Sequence, residues 1–417
     1  MHKTILMTGG SGLLSTNWAL SIRDEYKVTL LLHQKKISLL GVNTEIVSLS
    51  SLEECLSVLE KHQPDIVIHT AGLANVEECE SNPNLAQTVN VDLAKNIATA
   101  CSNQGVKLVH ISTDHLFLGD QEFSTEESVT NPVNNYAKSK LLGEQQVLEN
   151  CKDALVIRTN FFGWGASYRQ SFSDFILSKL RSGKSLDLFQ DVFFSPILID
   201  NLSSKVHQLI DLKTTGLFNI VSSERISKYD FGIKLANCFN LDTSLINKIS
   251  VDDKPNLVKR PKDMSLSNAK LRQTLDCKIA SLDDQLQTLK KQESEGVASQ
   301  VTLDIIPYGK HYIDESDIQS VVDVLRHGML TQGPKVAEFE NKIANYVGAK
   351  YAVAVANGTA ALHLACMALE IGEGDRVITT PNTFVATSNS ILYVGAKPVF
   401  VDIDNQTLNI DIDQIEK

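Results

Sequence analysis

Apolar residues in the first 160 positions fall into short runs separated by stretches of helical period. The runs are Thr4 to Met7, Val28 to Leu32, Glu45 to Leu49, Asp65 to His69, Leu108 to Ser112 and Leu155 to Arg158. Between them, Leu52 to His62 and Leu85 to Asn103 bring apolar side chains round every three or four residues. Short apolar runs alternating with helices build a parallel sheet that is covered on both faces. The pattern predicts an α/β fold, a doubly wound parallel sheet of the Rossmann type.

From 165 to 283 the pattern loosens, with a short strand at Gly216 to Val221, a helix at Tyr229 to Phe239 and more loop. This predicts a smaller substrate domain closing over the carboxyl edge of the sheet, with part of its chain returning to the first domain. Residues 284 to 303 are polar, with few large apolar groups beyond Leu286 and Leu289, and read as a short helix followed by a linker around Glu293 to Gln300. Helices and strands alternate again from Ile305. The expected division is a dinucleotide-binding domain over 1–164, a substrate domain over 165–283, a linker over 284–303 and a further α/β unit over 304–417.

Composition narrows the class. A chain of 417 residues with 43% hydrophobic and 21% charged residues is an ordinary globular protein of two or three domains. A net charge of −11 argues against a nucleic-acid partner, which would need a basic surface. The seven cysteines are far apart, without a Cys-x-x-Cys pair, and the histidines show no zinc spacing, so free thiols and no metal are expected. The first strand begins at Lys3 and no apolar run reaches the length of a membrane span. A cytoplasmic protein with no membrane partner is the expectation.

Two motifs carry chemistry. Thr8-Gly9-Gly10-Ser11-Gly12 joins the first strand to the first helix, where glycines let a backbone approach a pyrophosphate and the helix start supplies N–H donors. Gly9, Ser11, Gly12 and Leu13 are therefore candidate cofactor contacts. The second strand ends at Leu32, and His33, Lys35 and Lys36 follow where NAD-selective sites carry a carboxylate. That favours NADP, with NAD as the alternative and His33 as a further contact. Tyr136-Ala137-Lys138-Ser139-Lys140 then puts a phenol and an ammonium one helical turn apart, on one face. The ammonium is expected to lower the phenol's pKa toward working pH, and Thr113 at the end of the fifth strand to hold a carbonyl oxygen.

With these motifs in this order, residues 1 to about 280 resemble an extended short-chain dehydrogenase/reductase, most of all the dTDP-4-dehydrorhamnose reductases. The segments that match are Thr8 to Gly12, His69 to Gly72, Asn90, Ser112 to Asp114, Tyr136 to Lys140 and Arg158-Thr159. Further on, Ser195-Pro196 with Asp200, Arg260-Pro261 and Leu266 resemble landmarks of that family's substrate domain. The resemblance implies a catalytic set of Thr113, Tyr136 and Lys140, cofactor contacts at Ala71 and Gly72, and a structural role for Asn90. It implies NADPH-dependent reduction of a nucleotide-linked 4-keto-6-deoxysugar, in deoxysugar or surface polysaccharide synthesis, and is compatible with a homodimer. An epimerase or reductase of another nucleotide sugar and a non-catalytic NADP-binding regulatory subunit are the alternatives. His115 stands where these reductases usually have tyrosine, and Ser15 replaces the third glycine. The second change should still permit close helix–strand packing.

Gly328 to Pro334, Ala356 to Leu362, Thr380 to Phe384 and Gly395 to Asp402 resemble the beginning of pyridoxal-phosphate sugar aminotransferases of the DegT/DnrJ/EryC1 type. Gly358 and Thr359 open a helix that could hold a phosphate, and Phe384 could stack on a pyridine ring or pack in a core. Transamination needs a lysine for the Schiff base, and after Phe384 only Lys397 and the terminal Lys417 remain. An incomplete aminotransferase-like unit without activity is expected.

Overall fold

The computed structural model describes residues 3–303, 313–331 and 333–415. The chain divides into two compact units, Met1–Ile306 and Pro307–Lys417. In the first, seven strands form one parallel sheet: β1 (Thr4–Thr8), β2 (Lys27–Leu32), β3 (Asn43–Ile46), β4 (Ile66–His69), β5 (Lys107–Ile111), β6 (Leu155–Arg158) and β7 (Gly216–Asn219). Their order across the sheet is 7-6-5-4-1-2-3. The chain winds outward from β1 to β3 and then crosses to β4 on the other side of β1. That reversal opens a crevice at the carboxyl ends of β1 and β4.

Both faces of the sheet are buried, which is why its central strands read as unbroken apolar runs. Ile5, Met7, Leu30, Val109 and Ile157 pack against Trp18 of α1 (Leu13–Ile22) and against Leu202 and Val206 of the helix Ile199–Asp211. On the opposite face Leu6, Leu31, Val67, Leu108 and Val156 pack against Ala94, Ile97 and Cys101 of α3 (Leu93–Gln104) and Val147 of α4 (Asn135–Asn150). The helix α2 (Leu52–His62) starts at a capping box in which Ser51 and Glu54 satisfy each other's backbone N–H groups.

A second core gathers Ile176, Leu180, Phe194, Phe231, Leu235, Leu282, Leu286 and Leu289. It is built by the helices Phe172–Arg181, Lys228–Cys238 and Leu282–Ser294 and by the parallel pair Leu186–Phe189 with Ile246–Ile249. The chain between 165 and 283 serves both cores, because Ile199–Asp211 and β7 return to the large sheet.

Three expectations need correcting. The short helix read in 284–303 is present, but the stretch does not act as a linker: helix Leu282–Ser294 docks by burying Leu282, Leu286 and Leu289, and Val301–Leu303 pairs antiparallel with Ile37–Leu39. Spacing of i, i+4 and i+7 puts the three leucines on one face, enough to dock an otherwise polar helix. The third strand lies at Asn43–Ile46 rather than 45–49; it is the sheet's edge and mostly exposed, so its sequence carries little alternation. The helix read over 85–103 is a short helix, Pro83–Gln87, a π turn over Thr88–Asp92 and then α3.

The second unit contains helices Glu315–His327, Pro334–Val347 and Gly358–Ala368, and a parallel strand pair, Arg376–Thr379 with Lys397–Phe400, connected through helix Ala386–Tyr393. Val321, Leu325, Phe339, Met367 and Phe384 are exposed on it. Helix Gly358–Ala368 buries none of its residues although it is apolar on most sides. Among the described residues of the whole chain, no helix is long and apolar enough to cross a membrane.

Candidate active site

The crevice at the strand ends is a cleft of about 550 Å³, with Gly9, Ser11, Gly12, Leu13, Ala71, Gly72, Tyr136 and Lys140 among its lining residues. Eight residues singled out in the sequence therefore share one wall-to-wall space. Gly9 has φ +65°, and a Cβ there would lie 2.8 Å from the backbone N and Cα of Ala71. Only glycine lets the turn after β1 touch the strand end of β4 in this way. Thr8 ties the two together: its hydroxyl accepts from the Ala71 N–H at 3.2 Å and is 2.7 Å from Nδ1 of His69. Ser15 is fully buried, 2.5 Å from the Thr70 hydroxyl, so the third small position accepts serine by hydrogen bonding it.

The start of α1 has no side-chain cap, which leaves backbone donors at the cleft. A glycine turn with no room for a side chain and an uncapped helix start are what a dinucleotide pyrophosphate requires, and the residues present fit one. Above the turn, Tyr168 Oη donates to the Ser11 carbonyl at 3.0 Å, and Lys35 Nζ sits 5.0 Å from the Tyr168 ring centroid. His33 is exposed just past β2 and is not one of the residues lining the cleft.

The catalytic candidates come from two elements. Asn134 caps α4 by accepting from the Ala137 N–H at 2.9 Å, and the first turns of α4 bury Tyr136 and Lys140 on one face. Thr113 follows β5; it hydrogen-bonds Tyr136, and its hydroxyl also accepts from the His115 N–H at 3.3 Å. Burial raises the Tyr136 phenol's pKa above 10, opposed by the Thr113 hydrogen bond. Lys140 does not set that pKa, contrary to expectation. Its Nζ donates to the Ile111 carbonyl at 2.7 Å, and burial lowers its own pKa to about 8, with Glu144 acting in the opposite sense.

Beneath these groups lies a polar layer whose roles the motifs did not reveal. Glu144, one turn after Lys140, accepts from Arg158 at 2.6 and 3.0 Å and from the Ser112 hydroxyl at 2.9 Å, all three residues being buried. The rings of His69 and His110, on adjacent strands, lie with centroids 5.1 Å apart and planes tilted by 31°. Burial, and then the charge of Lys140, lower both pKa values, that of His69 to about 3. Asn90, in the π turn, accepts from the Leu73 N–H at 2.8 Å and donates to Ser139 at 2.9 Å, tying α4 to the wall of the cleft. His115 stands edge-on to Tyr136, ring centroids 5.4 Å apart, and its Nε2 is 3.9 Å from Asp114.

In the second unit Gly358 opens helix Gly358–Ala368, where Asn357 accepts from the Ala360 N–H at 2.9 Å, with Thr359 in the first turn. Phe384 is 72% exposed, so it does not pack in a core.

The fold and the cleft define a doubly wound α/β protein with a dinucleotide-type turn and a buried Thr–Tyr–Lys group at its switch point. The chain belongs to the family described as the RmlD substrate binding domain, whose model matches residues 3–294. Residues 311–417 match the DegT/DnrJ/EryC1/StrS aminotransferase family. One relative of the first segment is the probable low-salt glycan biosynthesis reductase Agl14 of Haloferax volcanii, 27% identical over 289 residues, 68% of this chain and 96% of its own length. The crystal structure of dTDP-4-dehydrorhamnose reductase from Bacillus anthracis in complex with NADP superposes with a TM-score of 0.63, at 23% identity, covering 70% of this chain and all of that one. The spore coat polysaccharide biosynthesis protein SpsC of Bacillus subtilis is 52% identical over 111 residues, 27% of this chain. Those residues span 28% of SpsC, under a third of its length.

Proposed function

We propose that residues 3–294 catalyse NADPH-dependent reduction of the ketone of a nucleotide-linked 4-keto-6-deoxysugar. The observation that carries this reading is the convergence of Thr113, Tyr136 and Lys140 with the glycine turn at one crevice. The backbone of Gly9, Ser11, Gly12 and Leu13 would hold the dinucleotide phosphates, with Ala71 and Gly72 on the adenosine side. Lys35 is held near the turn through Tyr168, and the cationic loop after β2 supports NADP over NAD. When bound, the nicotinamide supplies a hydride to the carbonyl carbon.

The protein's own part is to orient the ketone and to give it a proton. Thr113 donates to the ketone oxygen and holds it against Tyr136. The phenol, kept protonated by burial, passes its proton to that oxygen as charge develops there. The Lys140 ammonium, oriented by the Ile111 carbonyl, offers donors to sugar hydroxyls of the cofactor. The experiment is NADPH oxidation with a dTDP-4-keto-6-deoxysugar, wild type against Tyr136→Phe. A loss of roughly 10²- to 10⁴-fold in kcat with NADPH affinity retained is expected. A variant that turns over at the wild-type rate removes the acid role, and NADPH binding without turnover on any keto-sugar favours a regulatory subunit.

The same reading makes residues 311–417 inactive as a transaminase by themselves. Of the two lysines after Phe384, Lys397 opens the strand Lys397–Phe400, and Lys417 lies outside the described residues. Amino transfer from glutamate to a keto-sugar by the purified chain, dependent on pyridoxal phosphate, would contradict it.

A further inference from the structure

We infer that residues 165–171 form a strap latched onto the dinucleotide turn by Tyr168, and that Arg169 on this strap binds a phosphate of the cofactor. The inference rests on the reductase reading and adds a cofactor-binding residue that lies outside the motifs of the site.

Residues 165–171 lead into helix Phe172–Arg181, and hydrogen bonds fasten them at both ends and at the crown. At the neck, one carboxylate oxygen of Asp174 accepts from the N–H groups of Gly165 and Ser171, at 2.7 and 2.8 Å. Just before the neck, the Trp164 carbonyl accepts from Asn17 Nδ2 of α1 at 2.7 Å. At the crown, the Tyr168 hydroxyl donates to the Ser11 carbonyl, inside the glycine turn. The neck closes so tightly that a Cβ on Gly165 would lie 2.2 Å from the Arg169 carbonyl oxygen. A surface loop tied in this way to the turn and to the first helix has given up freedom that most loops keep.

What the strap carries to the turn is positive charge. Lys35 Nζ stands 5.0 Å from the Tyr168 ring centroid, and Arg169 follows Tyr168 in the chain. Arg169 lines the cleft together with Ser11, Gly12 and Leu13. Neither Lys35 nor Arg169 makes an ion pair among the described residues, whereas Arg158, Arg181 and Arg225 each meet a carboxylate. A guanidinium held beside the glycine turn without a counter-ion is suited to bidentate contact with a phosphate. The dinucleotide offers phosphate from two places, its bridging diphosphate and the 2′-phosphate of NADP.

The test is equilibrium binding of NADP⁺ and NAD⁺ to the full chain by calorimetry. Arg169→Gln, Arg169→Lys and Tyr168→Phe are compared with wild type, with melting curves confirming folded protein. A roughly 10- to 100-fold loss in Arg169→Gln for NADP⁺ alone, rescued in part by lysine, assigns the contact to the 2′-phosphate. An equal loss for both cofactors assigns it to the diphosphate. Tyr168→Phe should lose roughly 3- to 10-fold by itself and nothing more when added to Arg169→Gln, because the latch acts through the arginine. Independent losses that add in the double variant refute the latch. Wild-type affinity for both cofactors in folded Arg169→Gln overturns the phosphate contact and leaves the reductase reading standing. A wild-type protein that binds neither cofactor overturns both.

Discussion

Gly143 sits on α4 one turn beyond Lys140 and two beyond Tyr136, on the face that all three bury. A Cβ there would lie 2.1 Å from the carbonyl oxygen of Asn90 and 3.3 Å from its carbon, about 1 Å inside the closest approach that real side chains make. The obstacle is backbone and cannot rotate aside, so Gly143→Ala must push α4 and the π turn over Thr88–Asp92 apart by about 1 Å. Overpacking of this kind costs about 1–3 kcal/mol. Alanine returns about 1 kcal/mol of helix propensity, which leaves a net loss of about 0–2 kcal/mol. Catalysis should suffer more, since a shift of about 1 Å in the reacting groups costs on the order of 100-fold in rate. The expected signature is a small fall in melting temperature, followed by circular dichroism, with kcat for NADPH oxidation down by about two orders of magnitude. Wild-type kcat in folded Gly143→Ala, or a rate loss no larger than its unfolded fraction, refutes the claim that this contact aligns the site.

Two further predictions concern the polar layer. Glu144 raises the Lys140 pKa against the effect of burial, so Glu144→Gln should lower it further below about 8. Activity that depends on the ammonium then declines at lower pH, and the alkaline limb of kcat/KM moves acidward; an unmoved limb contradicts the coupling. The second prediction is acid sensitivity from the buried histidines. His69 has a folded pKa near 3 against 6.5 unfolded, so the unfolded chain binds more protons as pH falls from about 6.5 and stability drops with it. Between pH 7 and 5 that amounts to about 2 kcal/mol for His69, and His110 adds in the same direction. Urea midpoints at the two pH values should converge in His110→Asn relative to wild type, and an unchanged gap would show that His110 does not titrate on unfolding.

The sequence disclosed what burial on two faces writes into it. β1, β2, β4, β5 and β6 are covered above and below, so each reads as an apolar run, whereas exposed β3 left its register ambiguous. The short helix read after 284 was legible, but its docking as Leu282–Ser294 was not: its three leucines have the right spacing, and the polar composition around them outweighed it. In the site, a spacing of four placed Tyr136 and Lys140 on one face because helix geometry is fixed. The partners that decide their protonation are set by depth and by strands far apart in sequence. Nothing in a motif says that Lys140 turns to the Ile111 carbonyl or that Glu144 and Arg158 pair beneath it.

The pairing of Val301–Leu303 with Ile37–Leu39 knots the exit of the first unit to the segment that directly follows Lys35 and Lys36. The loop proposed to discriminate between cofactors is thereby anchored at its far end by residues nearly 270 positions downstream. A chain shortened to the family boundary at 294 would keep every catalytic candidate and still lose this tether. On the proposed reading, cofactor preference is tied to a strand outside the family match, and a chain trimmed to homology is then expected to differ from the full chain in its NADP-to-NAD affinity ratio.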